Sequence, residues 1–354
     1  MFFMQKCGIY IHFPFCLSKC PYCDFASKAC RHFDEAVLKT GYLRDIDQAP
    51  KKQITSIYFG GGTPSMMSPQ LIDVLISSVA KKFTITPNAE ITMEANPDAI
   101  DKQKMQNFKN CGINRLSLGV QALNDADLKF LGRLHSSQTA KQRIEEMKNI
   151  FDNCSIDLIY ARPNQTLKEW QQELTQALLF NLPHLSLYEL TIEGGTVFYR
   201  KKIKACDERT ARDLYLLTLE ETEKKGLPFY EVSNFAKKGF ESRHNLLYWQ
   251  GDDYIGIGPA AHGRIGLTAT QNPAIVDEWI KHGTLIEKLT PKERFEEKIM
   301  MGLRLRQGIP NDNIEKRNID KAIQNGWIKK DTSHIIPTKE GFLMLNQLTL
   351  LLLS

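Results

Sequence analysis

The sequence predicts an α/β fold, in which a parallel βα barrel, partial or closed, is followed by a smaller α+β domain of winged-helix type. The first observation is a series of short apolar runs rich in β-forming residues, at positions 8–13, 56–60, 90–95, 115–120, 155–160, 184–190 and 228–233. The second is that segments with helical spacing separate most of these runs. In segment 68–83, one side of such a helix carries Leu71, Val74, Leu75, Ser78 and Val79. This alternation predicts parallel strands joined by crossover helices.

The third observation is that the alternation of strand-like and helix-like segments ends after about Ala236. Residues 243–263 are rich in glycine, aromatic residues and histidine, and they show little helical periodicity. A helix candidate at 292–306 follows, and we expect Gly308, Ile309 and Pro310 to stop it. The tail predicts a helix, a short hairpin at 327–337 and a final helix that begins near Thr338. We therefore divide the chain into a core domain (1–235), a connecting segment (236–290) and a C-terminal domain (291–354).

Composition limits the classes of function. Hydrophobic residues make up 42% of the chain and charged residues 25%, and the net charge is +5. This charge is too small and too dispersed to indicate nucleic acid binding. Residues 1–16 lack the pattern of a signal peptide, and the apolar C-terminal stretch 348–354 is far shorter than the roughly 20 residues that span a bilayer. We therefore expect a cytoplasmic protein whose eight cysteines bind metal or do chemistry.

Three cysteines, Cys16, Cys20 and Cys23, follow the first predicted strand in a C-x3-C-x2-C pattern. A structural zinc ion needs a fourth ligand, which His12 or Cys30 would have to supply. A catalytic cysteine would leave two thiols without a role. An iron-sulfur cluster held by three thiolates leaves one iron open for chemistry. Lys19, beside the thiols, is expected to help to keep them ionised.

Polar and glycine residues follow the next strands, and the carboxyl ends of parallel strands are where βα barrels carry their sites. Gly60–Ser65 reads GGGTPS, a turn that lets a ligand approach the backbone and that we expect to point N–H groups toward it. Other strand ends place polar side chains nearby, namely Glu94, Asn96, Gln121, Arg133 and Asp157. Each of these alone could equally be a satisfied turn residue. Together they favour a ligand-bound set, because unpaired buried charges are costly.

With the cysteine triplet after the first strand of a βα barrel, the chain resembles the radical S-adenosylmethionine (SAM) enzymes. The resemblance implies a 4Fe-4S cluster on Cys16, Cys20 and Cys23, with SAM at the open iron. In these enzymes one electron from the cluster cleaves SAM to a 5′-deoxyadenosyl radical. The positions that match SAM-binding residues are Tyr10, Tyr22, Gly61, Gly62, Thr63, Glu94, Gln121, Arg133 and Asp157.

The resemblance extends over nearly the whole chain. The chain is similar to the oxygen-independent coproporphyrinogen III oxidase family, and most of all to its haem chaperone group. Phe25 stands where the oxidases carry a further cysteine, and only fifteen residues precede Cys16 where the oxidases have a long segment. Residues 244–249, HNLLYW, resemble the chaperone haem motif in segment 236–290. This implies that His244, Tyr248 and Trp249 bind haem, with His262 as a second candidate. The ordinary alternative is that His244 caps a turn while Tyr248 and Trp249 fill a gap.

One departure from the family is Ala161-Arg162-Pro163-Asn164, which we expect to place bulk and charge beside Asp157.

The function implied is a cytoplasmic haem chaperone that binds a 4Fe-4S cluster, SAM and haem. We expect no coproporphyrinogen oxidase activity, whereas SAM cleavage stays open. The alternatives are oxidative decarboxylation of coproporphyrinogen III and regulation through nucleic acid. The implied partners are a haem-accepting protein and an electron donor such as flavodoxin or ferredoxin. A homodimer and a peripheral membrane contact both stay open.

Overall fold

One large sheet organises the chain in the computed structural model, which describes residues 6–354. Residues 1–5, the start of the stretch predicted not to be a signal peptide, lie outside the described residues. The strands are β1 (Lys6–Phe13), β2 (Phe15–Cys16), β3 (Lys28–Ala29), β4 (Gln53–Gly61), β5 (Thr84–Ala95), β6 (Arg115–Gln121), β7 (Asn153–Tyr160), β8 (His184–Glu189), β9 (Phe229–Glu231), β10 (Asn234–Ala236), β11 (Asp253–Ile257), β12 (His262–Ile265), β13 (Thr268–Gln271), β14 (Leu285–Lys288), β15 (Ile309–Pro310), β16 (Ile328–Lys330) and β17 (His334–Pro337).

The helices surround this sheet and build the C-terminal part. They are α1 (Glu35–Gln48), α2 (Pro69–Lys82), α3 (Lys102–Asn110), α4 (Asp125–Phe130), α5 (Ser137–Lys148), α6 (Leu167–Leu179), α7 (Val197–Arg200), α8 (Glu208–Lys224), α9 (Arg243–Gln250), α10 (Val276–Lys281), α11 (Pro291–Gly302), α12 (Lys316–Gln324), α13 (Lys339–Leu343) and α14 (Leu345–Leu353). A 3-10 turn covers Pro64–Met66. None of the helices within residues 6–354 is both long and apolar enough to cross a membrane.

The large sheet has twelve strands in the order β14-β13-β12-β11-β1-β4-β5-β6-β7-β8-β10-β9. The seven strands from β11 to β8 are parallel to their neighbours, and the flanking strands pair antiparallel. β1 and β6 are buried along nearly their whole length, β1 with mostly apolar residues and β6 with polar and apolar residues in alternation. Because β14 and β9 end the series, the described sheet is a partial barrel. The predicted α/β fold class is confirmed, and all seven predicted runs overlap strands.

The predicted helix at 68–83 is α2, which begins where Ser68 caps its N-terminus and Pro69 occupies the first turn. Leu71, Leu75 and Val79 face the core as the spacing predicts. The predicted helix at 292–306 corresponds to α11, which ends at Gly302, earlier than the predicted stop. Ile309 packs closely on Gly302, where an added Cβ would lie 2.4 Å from Ile309 Cγ2. The helix ends at this contact.

Two further differences concern the C-terminal third. The residues 243–250 form helix α9, although their sequence shows little helical periodicity. The single final helix predicted near Thr338 is two helices, α13 and α14, that meet at Met344. A separate small core of ten buried residues, from Ile299 to Leu352, lies beneath the three-stranded sheet β15-β17-β16. The proposed division into three segments stays a prediction, and segment 236–290 contributes β11 to the large sheet beside β1.

A buried carboxylate ties α1 to segment 236–290. Asp45 accepts hydrogen bonds from Gly258 N at 3.0 Å, Asn272 Nδ2 at 3.0 Å and Trp279 Nε1 at 2.8 Å. We expect Asp45→Ala to lower the free energy of unfolding by about 3–5 kcal/mol, because it leaves these buried donors unpaired. Urea denaturation measures this loss. The control is Asp47→Ala, whose side chain is 89% exposed and should leave the midpoint unchanged. Equal midpoints for both variants would contradict the anchoring role.

Candidate cofactor-binding site

A cavity of about 310 Å³ lies at the carboxyl ends of the parallel strands. This size is within the range of small-molecule sites. The residues predicted from sequence that line it are Cys16, Cys20, Tyr22, Cys23, Gly61, Gly62, Thr63, Glu94, Asn96, Gln121, Arg133 and Asp157. Tyr10, His244, Tyr248 and Trp249 are not among its lining residues. The structure therefore brings the predicted cluster and SAM residues together, apart from Tyr10, and places the predicted haem residues elsewhere.

The cysteine loop is held from three sides. Lys19 donates from its ammonium to the carbonyl oxygens of Phe25 at 2.9 Å and Ser27 at 3.1 Å. Phe198 N donates to Pro21 O at 2.9 Å. Gly132 has a φ of +69°, and a Cβ there would lie 2.5 Å from Pro21 Cδ. These contacts fix the loop over the cavity.

Burial opposes the ionisation of Cys16 and Cys23. It raises the pKa of Cys16 and Cys23, and in Cys23 the nearby charge of Lys19 opposes this rise only in part. Lys19 therefore favours the ionised form of Cys23, as expected, although burial outweighs its effect. All eight cysteines are free thiols, which leaves the triplet available as metal ligands.

The cavity does not favour a zinc site. Within residues 6–354, no three His, Cys, Asp or Glu side chains are close enough to hold one metal ion. Both ring nitrogens of His12 are engaged, one by Tyr10 Oη at 3.0 Å and the other by Ala26 O at 2.9 Å. Cys30 donates from its thiol to His32 O at 3.0 Å. Three thiols that line one cavity instead suit an iron-sulfur cluster, in which each thiolate would bind a different iron.

The glycine turn allows close approach of the backbone rather than supplying free donors. A Cβ at Gly62 would lie 2.3 Å from Phe15 O, and Gly61 has a φ of +110°. Contrary to our expectation, the N–H groups of this turn are already engaged. Gly61 N donates to Glu94 Oε2 at 3.3 Å, Gly62 N to Phe13 O at 2.7 Å and Thr63 N to Phe15 O at 2.8 Å.

The carboxylates in the cavity have unusual acidity. Burial raises the pKa of Glu94 to about 7, although Tyr58 Oη donates to Glu94 Oε1 at 2.8 Å and opposes this rise. Burial also raises the pKa of Asp157, whose Oδ1 accepts from Ser117 Oγ at 3.0 Å. Glu94 is therefore half ionised near neutral pH, where a bound cationic group would favour its charged form.

Arg133 connects the cysteine loop to the strand ends. Its guanidinium donates to Cys20 Sγ at 3.3 Å, Asn96 Oδ1 at 2.6 Å and Gly119 O at 2.9 Å. Arg133 Nε and Gln121 Oε1 are buried without a hydrogen-bond partner, and Gln121 adopts a φ of +70°. Unpaired buried polar atoms at a cavity are what a bound polar ligand would satisfy. The residues present thus fit a cluster with SAM beside it.

The two predicted tyrosines differ in position. Tyr22 lies in the lining and packs against Phe198, with ring centroids 6.2 Å apart. Tyr10 lies deeper in the barrel, and its ring faces that of Tyr58 at 6.2 Å. The SAM role of Tyr10 stays a prediction.

Helix α9 places the predicted haem motif at the opposite end of the barrel. His244 N donates to Glu90 Oε1 at 3.2 Å, and Glu90 lies near the middle of β5, four residues before Glu94. The strand between them spans roughly 13 Å. His244 is fully buried, and burial lowers its pKa to about 3, so the ring is neutral.

Both ring nitrogens of His244 have protein partners. Nδ1 lies 2.8 Å from Ser56 Oγ, and Nε2 lies 2.7 Å from Tyr248 Oη. An axial bond to haem iron requires that one of these contacts break. The guanidinium of Arg304 lies 5.4 Å from the ring of Trp249, and His262 is exposed at the start of β12. The haem roles stay a prediction.

The departure at 161–164 does not crowd the cavity. Arg162 is buried outside the lining, where it forms an ion pair with Glu173 of α6 and another, at 2.9 Å, with Asp127 of α4. The expectation that Arg162 places charge beside Asp157 is therefore wrong. The side chain instead joins two helices.

Sequence reasoning missed several residues near this site. Tyr58 contacts Glu94, and the cavity is also lined by Tyr188 and Glu189, at the end of β8, and by Glu193, which follows it. The signal for the last three was available, because they lie at or just after the end of a predicted strand. Tyr58 lies inside a strand, where an aromatic residue is ordinary, and nothing in the sequence singles it out.

Family models match two parts of the chain. Residues 10–177 match the radical SAM superfamily, and residues 289–344 match the HemN C-terminal domain. Among solved structures, coproporphyrinogen III oxidase (HemN) from Escherichia coli aligns with a TM-score of 0.84, over 99% of this chain and 90% of that one. At 19% identity this likeness shows the fold.

Relatives at higher identity extend over nearly the whole chain. The heme chaperone HemW of Buchnera aphidicola subsp. Schizaphis graminum is 34% identical, and that of Escherichia coli is 32% identical, each with 98% of both chains covered. The mitochondrial radical S-adenosyl methionine domain-containing protein 1 of Danio rerio is 34% identical over 88% of this chain and 75% of its own. On this similarity, the chain belongs to the radical SAM superfamily and, within it, to the family of the heme chaperone HemW.

Proposed function

We propose that this protein is a haem chaperone that holds a 4Fe-4S cluster, binds SAM at that cluster, and passes haem to an acceptor protein. The observation that carries the proposal is the cavity in which three free thiols meet Glu94, Gln121 and Arg133. Curated relatives named heme chaperone support the haem part. The proposal places the chain in the cytoplasm, and its eight free cysteines agree with a reducing compartment.

In this proposal Cys16, Cys20 and Cys23 would hold the cluster, which when bound supplies one electron for the reductive cleavage of SAM. Arg133 keeps Cys20 in place through its hydrogen bond and connects it to Asn96. Tyr22 packs on Phe198 and closes one side of the cavity. Glu94 offers a carboxylate to the ammonium group or the ribose hydroxyls of SAM.

The charge at the cavity mouth supports the chaperone over the oxidase in this proposal. Three exposed acidic residues that line the cavity, Asp24, Glu189 and Glu193, surround its outer part. The two cations among the described lining residues, Lys19 and Arg133, are both bonded to protein acceptors. Coproporphyrinogen III carries several propionate carboxylates, which this mouth would repel. SAM has a net positive charge and suits the same surroundings.

The proposal requires two partners, a haem-accepting protein and an electron donor such as flavodoxin or ferredoxin. We place haem at α9, where His244, Tyr248 and Trp249 lie. Haem binding there exchanges the contact of His244 with Tyr248 or Ser56 for a bond to iron. A neutral imidazole is the form that ligates iron, and burial keeps His244 in that form.

An anaerobic assay on one reconstituted preparation tests the proposal. We expect stoichiometric haem binding by absorption titration, and no protoporphyrinogen when the reduced protein is incubated with SAM and coproporphyrinogen III. His244→Ala should abolish the haem spectrum, whereas the control His262→Ala should retain it. Formation of protoporphyrinogen would overturn the chaperone assignment. Stoichiometric haem binding that survives the combined loss of His244, Tyr248 and Trp249 would overturn the haem site.

A further inference from the structure

A column of aromatic rings runs through the barrel between its two ends. The ring of His244 stacks on that of Tyr58 with centroids 5.0 Å apart and planes at 27°. At the other end of Tyr58, its hydroxyl donates to Glu94 Oε1 at 2.8 Å. One side chain therefore contacts both the helix that carries the predicted haem motif and the carboxylate of the cofactor cavity.

Glycine residues make room for this column. A Cβ at Gly60 would lie 2.8 Å from Tyr10 Cε2 and 3.0 Å from Tyr58 Cε1. A Cβ at Gly8 would lie 3.0 Å from His244 Cε1. The rings therefore pack directly against the backbone of Gly8 and Gly60. A shift of His244 would remove the ring that stacks on Tyr58.

We propose that Tyr58 is a positioning residue that orients the Glu94 carboxylate for SAM, and that His244 clamps Tyr58 so that displacement of His244 is felt at Glu94. This inference rests on the proposed function in one respect, because it takes SAM to be the ligand of Glu94. It adds that the two ends of the barrel communicate through one hydroxyl.

Several other groups face Glu94, and the design of the test has to hold them constant. They are Gly61 N on β4, Arg115 on β6, Asp157 on β7, Tyr10 on β1, Tyr188 on β8 and Tyr248 on α9. Burial and the charge of Asp157 raise the pKa of Glu94, whereas Tyr58, Gly61 N and Arg115 lower it. Because Tyr58 stabilises the ionised carboxylate, loss of its hydroxyl moves the titration of Glu94 to higher pH.

The direct test is infrared titration of the protonated carboxyl band of Glu94 in protein without cluster, SAM or haem, with the band assigned by its absence in Glu94→Gln. The wild-type midpoint is expected near pH 7. Tyr58→Phe should raise it by about one pH unit, the effect of one hydrogen bond to a charged group. Tyr254→Phe, which alters a ring that packs on the far side of Tyr248, should leave it unchanged. A midpoint in Tyr58→Phe equal to that of wild type would overturn the positioning role.

The clamp is tested by a double-mutant cycle. His244→Ala should raise the midpoint in the wild-type background and cause no further change in the Tyr58→Phe background. If His244→Ala does not fold, Ser56→Ala, which removes the hydroxyl 2.8 Å from His244 Nδ1, takes its place with the same expectation. No shift in the wild-type background, or an equal shift in both backgrounds, would overturn the clamp.

SAM binding separates this inference from the proposed function. By equilibrium dialysis of the reconstituted protein near pH 7, Tyr58→Phe should bind SAM about fivefold more weakly, because a smaller fraction of Glu94 is ionised. At about pH 9 the two affinities should converge. An undiminished affinity near pH 7 contradicts the inference alone, whereas wild-type protein that holds no SAM at any pH contradicts the proposed function.

Discussion

Cys20→Ala is expected to abolish the 4Fe-4S absorption of the reconstituted protein, and Cys16→Ala and Cys23→Ala should each do the same. With three thiols around the cavity, loss of any one leaves a second iron without a protein ligand. Cys20 carries an additional role, because its sulfur accepts from Arg133. Iron and sulfide analysis together with the absorption spectrum measure the effect.

Cys30→Ala is the matched control for these variants. Its thiol lies in the same segment of the chain but donates to His32 O and does not line the cavity. It should assemble the cluster as the wild type does. A full cluster in any one of the three triplet variants would refute the assignment of the ligands.

Gly62→Ala is expected to destroy the cofactor site. The added Cβ would lie 2.3 Å from Phe15 O and 2.8 Å from Phe15 C, which are backbone atoms that cannot rotate away. The turn must then move from β2, the strand that carries Cys16. Overpacking of this kind costs about 1–3 kcal/mol or more. Thermal denaturation should show a lower midpoint, and SAM binding should be lost.

Gly194→Ala is the control for that substitution, because a Cβ at Gly194 meets no atom within 4 Å among the described residues. It should retain both stability and SAM binding. Unchanged SAM affinity in Gly62→Ala would show that the glycine turn does not shape the site.

The barrel was predictable because short apolar runs and helical spacing are local patterns of the sequence. Each predicted run overlaps a strand of the structure. The cavity lining was predictable for the same reason, since the carboxyl ends of parallel strands meet at one edge. Glu94, Gln121 and Asp157 come from three different strands, and one rule placed them together.

Contacts between distant residues were not predictable. The engagement of the N–H groups of Gly62 and Thr63 depends on the carbonyl oxygens of Phe13 and Phe15, which only the pairing of β1 and β4 brings near. Arg162 turned away from the cavity because Glu173 and Asp127 lie on the other side. Helix α9 lacks periodicity because its partners surround it: His244 faces the barrel, while Trp249 lies beneath Arg304.

The position of α9 at the amino-terminal end of the barrel has a consequence for radical chemistry. A radical abstracts hydrogen only from an atom that it touches. A tetrapyrrole held by His244 would be separated from the cysteine loop by the barrel interior, where Tyr10 and Tyr58 lie face to face. Haem held by His244 would not line the cavity of the cysteine loop, so the proposed haem site and the proposed radical site would occupy two separate places in one barrel.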